Sequence, residues 1–87
     1  MFIIESLGIS EDSIKECTDA ELLRDWREQL IIEMGMVKTK LIGMKYMMDN
    51  KDPDFDIEEY KANNFYRYIV STCMVKIRRR ICNLQKD

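Results

Sequence analysis

The chain has 87 residues, 46% of them hydrophobic and 34% charged, and a formal net charge of −2. A chain this short makes one domain with a thin core, is too apolar for disorder, and lacks the basic excess that binding to a phosphate backbone draws on. With no His and three Cys that form no Cys-x-x-Cys pair, it also lacks the usual general base and the usual zinc ligand sets, so the expectation is a protein that is not an enzyme and holds no metal or cofactor.

The opening stretch "MFIIESLGIS" is apolar but has no basic n-region, is interrupted by Glu5, and offers no small-residue cleavage site. It is therefore not expected to be a signal peptide. No later apolar run is long enough for a bilayer. A cytoplasmic protein with reduced thiols at Cys17, Cys73 and Cys82 follows as the expectation. Residues 1–17 form an N-terminal segment in which Phe2, Ile3, Ile4, Leu7 and Ile9 can cover the helices that follow. Within it "SEDSIKE" predicts a short helix capped by Ser10.

"CTDAELL" places Thr18 three residues before Glu21, the spacing of a capping box, and predicts a helix over 18–49. Leu23, Leu30, Val37 and Met44 recur every seven residues, with Met34, Leu41 and Met48 interleaved and a gap at Arg27. Gly35 and Gly43 lie inside this helix, each costing roughly 1 kcal/mol relative to Ala, and predict close approach of another helix. Pro53 breaks the pattern and defines a turn over 50–56. Asp56 and Glu59 have the spacing of a second capping box, and predict a helix over 57–85.

In that second helix Ala62, Tyr66, Ile69, Cys73, Ile77, Ile81 and Leu84 form one apolar stripe, and Ile57, Tyr60, Tyr68, Val75 and Cys82 form another. The first helix carries surplus apolar residues at Ile31, Ile32, Ile42 and Tyr46. The expected fold is thus a single all-α domain over 1–87: two long antiparallel helices with a short N-terminal segment or helix, doubling into a bundle as a homodimer.

Charge is segregated along the chain, with net −6 over residues 1–33, +3 over 34–48, −5 over 49–59 and +6 over 60–87. In an antiparallel hairpin Arg78, Arg79 and Arg80 should fall beside Asp25 and Glu28, at a helix end that favours cations. This argues against direct nucleic-acid binding and leaves the three arginines as a secondary basic patch for an acidic partner. The acids of "DNKDPDFDIEE" alternate as in a calcium loop, but Ile57 stands where Gly is needed and Asn63 where a bidentate Glu should close the shell.

The segments "WREQLIIEMGMVKTKL" (26–41), "DPDFDIEEYK" (52–61) and "KIRRRICNLQ" (76–85) resemble a group of small bacteriophage helical-hairpin accessory proteins. The resemblance covers roughly residues 20–86 and implies a protein that binds and blocks a host protein, located in the cytoplasm of an infected bacterium. The expected function is accordingly a protein-binding inhibitor or adaptor, an anti-defence protein directed at a host CRISPR effector or nuclease. The expected contact is the hairpin tip, with Asp49, Asp52, Asp54 and Asp56 supplying charge and Tyr46, Met47, Phe55 and Tyr60 supplying apolar anchors. The alternatives are an oligomeric sponge for an anionic signalling nucleotide, using Lys38, Lys40, Lys45, Arg67 and Tyr68, and nucleic-acid binding through the C-terminal arginines.

Overall fold

A computed structural model describes residues 3–4 and 7–85 of the protein. Two two-residue strands, β1 (Ile3–Ile4) and β2 (Ile9–Ser10), lead into helix α1 (Glu11–Glu16), followed by the long helices α2 (Ala20–Asp49) and α3 (Ile57–Leu84). The architecture is all-α, with α2 and α3 packed against each other along a hairpin and α1 against α3. The strands pair antiparallel, Ile3 opposite Ser10 and Ile4 opposite Ile9. The reversal between them uses Gly8 at φ +66°, a backbone conformation that a Cβ disfavours.

Each helix begins where a side chain accepts the free N–H groups of the first turn. Ser10 Oγ accepts from the Ser13 backbone at 3.1 Å, and the Ser13 hydroxyl in turn caps the Ser10 N–H at 2.9 Å. For α2 the cap is Asp19 and not Thr18: its Oδ1 accepts from Glu21 and Leu22 N–H at 3.0 and 3.3 Å. A carboxylate makes the stronger, charge-assisted bond and complements the helix dipole, so the helix starts at Ala20. Asp56 caps α3 in the same way, accepting from Glu58 and Glu59 N–H.

The end of α2 is also closed by its own backbone. Asp52 N–H bonds the Met47 carbonyl at 2.9 Å and Lys51 N–H the Met48 carbonyl at 3.1 Å, the two bonds of a Schellman motif. The motif requires a left-handed residue, and here it is Lys51 at φ +53°. A lysine is strained there where glycine is not. Lys51→Gly should therefore stabilise the protein by about 0.5 kcal/mol, read as a Tm raised by ~2–4 °C, after allowing for the greater freedom of glycine in the unfolded chain.

The core lies at the end of the hairpin remote from this turn. Ile4, Ile9 and Ile14 of the N-terminal segment close over Leu23 and Leu30 of α2 and Val70, Cys73 and Ile77 of α3. Toward the turn only Val37 and Leu41 are buried. The expected stripes hold in that half only partly. Met44 is half-buried, and Met48 and Ala62 are exposed, because no third element among the described residues covers the hairpin there. Phe2 and the Ile3 side chain, also expected to cover the helices, lie outside the described residues.

Two further expectations are corrected. Nothing approaches within 4 Å of a Cβ built on Gly35 or Gly43, so the close helix approach they predicted does not occur within the protomer. Nor do Arg78, Arg79 and Arg80 meet Asp25 and Glu28. The segment ahead of α2 folds back onto α3 and intervenes: Arg80 Nε donates to the Cys17 carbonyl at 2.8 Å, and Lys76 pairs with Glu11 at 3.8 Å. Arg78 and Arg79 make no ion pair among the described residues.

Candidate protein-binding surface

The molecule measures 55 × 20 × 17 Å, and its radius of gyration of 15.6 Å exceeds the ~12 Å of a compact domain of this length. A two-helix layer this thin cannot bury both faces of either helix, and the apolar residues left over are ordered into stripes. At 100° per residue, Ile32, Met36, Ile42 and Tyr46 fall on the side of α2 directly opposite Leu30, Val37 and Leu41. Their exposures run from 63% for Met36 to 71% for Ile42. Between them lie Gly35, Thr39 and Gly43, spaced by four. No charged residue falls within this stretch of the face. A partner backbone can come close at the small residues while the four large side chains supply apolar contact.

The hairpin tip, by contrast, has spent much of what it was expected to offer. Asp52 Oδ1 accepts from Asp54 N–H at 2.9 Å, and the Asp52 carbonyl accepts from Phe55 N–H, so Asp52 builds the turn over Pro53. Asp56 is a helix cap. Phe55 and Tyr60 pack on each other, ring centroids 5.8 Å apart, and with Met47 are half-buried. Asp49 and Asp54 remain exposed, and of the four apolar anchors only Tyr46 is. It belongs to the outward face of α2. The expected site residues are thus brought together at one end, but the accessible apolar surface runs away from the tip along α2. Ile32 and Ile42 were not among the expected contacts, whereas Met36, off the main stripe, was an interface candidate from the sequence. Their spacing opposite the core heptad was the signal.

On one side of this face an open groove of about 800 Å³ is bounded by Ile32, Glu33, Gly35, Met36, Val37, Thr39, Lys40, Asn63 and Tyr66. Tyr66 donates its hydroxyl proton to Glu33 at 2.7 Å across the groove floor. On the other side Lys38, Asn64, Arg67, Tyr68 and Ser71 line a smaller depression with Met34. Lys38, Arg67 and Tyr68 are therefore together, while Lys40 lies in the first groove and Lys45 in neither.

The basic residues near the C-terminus face acids from α1: Lys76, Arg79 and Arg80 share a depression with Glu11 and Asp12. Among the thiols Cys73 is buried, and burial, with a contribution from Glu11 that Lys76 offsets, pushes its pKa up. It is a packing residue and a poor nucleophile. Among the described residues no group of three His, Cys, Asp or Glu comes together to hold a metal ion, and no helix is long and apolar enough to cross a membrane. No family model, curated protein or solved structure matches the chain.

Proposed function

We propose that the protein acts by binding another protein through the outward face of α2, as an inhibitor or adaptor with no chemistry of its own. The observation that carries this reading is the uncharged face of Ile32, Met36, Ile42 and Tyr46, interleaved with Gly35, Thr39 and Gly43. Such a face suits a partner helix laid along it. Acids outnumber bases at both ends of the face, Glu21, Asp25 and Glu28 against Arg24 on one side and Asp49 and Asp54 on the other, all exposed. The matching partner surface is apolar in the middle and basic at its ends. Proteins that process nucleic acids carry basic grooves of this kind, and the resemblance to phage accessory proteins directs the reading to a host CRISPR effector or nuclease.

The test is to recover what co-purifies from the host with the tagged parent, with Ile42→Asp plus Tyr46→Asp, and with Asp49→Lys plus Asp54→Lys. The first variant should lose the partner by about a hundredfold in affinity, since two apolar anchors are replaced by unpaired charge. The second should slow association and remove part of its salt dependence. A basic partner held equally by all three proteins would sink this reading.

A second reading rests on the depression holding Lys38, Arg67 and Tyr68, which combines two cations and an aromatic ring with no acid in its lining. It fits an anionic nucleotide, and purified protein that carries one would move the assignment there.

A further inference from the structure

The outward face of α3 differs from that of α2 in being complementary in charge to itself. Ile57, Tyr68, Val75 and Cys82 lie on the side of α3 turned away from the core, and all are exposed. Phe65 stacks on Tyr68 with ring centroids 6.4 Å apart. One end of this stripe carries Asp54, Asp56 and Glu58, which outnumber Lys61, paired there with Glu58 at 3.9 Å; the other carries Arg78 and Arg79, exposed and without an ion pair among the described residues. Residues 56 and 79 are ~34 Å apart along the helix, and midway between them stands Tyr68. A two-fold axis at Tyr68 with α3 helices antiparallel therefore sets each acidic end against a basic end, twice. The outward face of α2 has acids at both ends, so pairing it with itself opposes acids in either direction.

We infer that two copies of the chain pair antiparallel through the outward faces of α3, about a two-fold axis near Tyr68, with the acidic tip of each copy against Arg78 and Arg79 of the other. The surface available matches what such a dimer needs. The protein exposes 6322 Å², against about 5,400 Å² for a compact chain of 10.4 kDa. The surplus of roughly 900 Å², shared between the outward faces of α2 and α3, is of the order of the ~800 Å² that each partner contributes to a standard interface. The pairing leaves the outward face of α2 open on both copies.

Light scattering coupled to gel filtration, over a dilution series, should give the parent twice the mass of 10.4 kDa. Raising the salt should weaken the dimer by screening its charged ends. Arg78→Glu with Arg79→Glu makes both ends acidic, and Asp54→Arg with Glu58→Arg makes both ends basic; each protein alone should be monomeric, with dissociation raised about tenfold or more. Mixed in equal amounts, the two should form a heterodimer, because every acidic end then finds a basic one. Circular dichroism confirms that the changes, all at exposed positions, keep the helices. Should either charge variant unfold, Tyr68→Asp replaces it, placing two carboxylates together at the axis, and should be monomeric. A parent that is monomeric at every concentration overturns the inference. So does a dimer that survives both charge pairs, or a pair of monomeric variants that stay apart on mixing.

Discussion

Replacing Ile77 by Asp is expected to unfold the protein. Ile77 is fully buried where the N-terminal segment, α2 and α3 meet, so the new carboxylate would be shut away from water. An unpaired charge there costs several kcal/mol. A chain of this length has a total stability on the order of 4–13 kcal/mol, and the loss takes most of it. Circular dichroism at room temperature should show the helical signal collapsed or its melting transition moved down by tens of degrees. Ile42→Asp makes the same chemical change at a position 71% exposed and should shift stability by no more than ~0.5 kcal/mol. Equal effects at the two positions would mean that the hairpin packs on the wrong face.

The second large effect concerns the N-terminal segment. Ile14, buried on α1, closes the core together with Ile4 and Ile9. Ile14→Ala leaves a cavity that the short α1 helix cannot collapse to fill, at a cost of about 2–4 kcal/mol. The three thiols report the same event locally. In the parent, exposed Cys82 should react at once with a thiol reagent and half-buried Cys17 more slowly. Cys73, buried and with its pKa raised, should react only through opening of the core. In the Ile14→Ala protein Cys73 should become reactive at least tenfold faster while Cys82 is unchanged. A melting temperature and a Cys73 rate like those of the parent would show that α1 is not what closes the core.

The helical hairpin was legible in the residues because its signals are local. The heptad Leu23, Leu30, Val37, the break at Pro53 and the cap at Asp56 each act within a turn or two of the chain, and α2 ends and α3 begins at the expected residues. Even the misplaced cap at Thr18 was a contest between neighbours, won by the carboxylate of Asp19. The strand pair was written locally too, in β-branched isoleucines around Gly8, though its apolar run reads equally well as irregular cover.

The candidate binding surface was legible only in part. The surplus apolar residues Ile32, Ile42 and Tyr46 could be named from their spacing, but a hydrophobic residue off the main stripe is either covered by another element or exposed, and spacing does not distinguish the two. The tip looked like the better contact because its acids and aromatics are adjacent in sequence. Folding consumes several of them in a cap, a turn and a ring pair.

What the sequence by itself determined is therefore the pair of helices, their lengths and their antiparallel order, all consequences of propensity, capping and period. Tertiary structure decided where the N-terminal segment lands. By folding back onto one end of α3 it buried Ile4, Ile9 and Ile14, took Arg80 to the Cys17 carbonyl and Lys76 to Glu11, and left Asp25 and Glu28 facing solvent. Contacts between residues more than sixty positions apart, such as Arg80 with Cys17, depend on which of several apolar faces the segment covers, and that choice is made by packing all the elements at once. The same choice left the outward faces of α2 and α3 bare among the described residues, since Ile4, Ile9 and Ile14 lie over the core at one end of the hairpin.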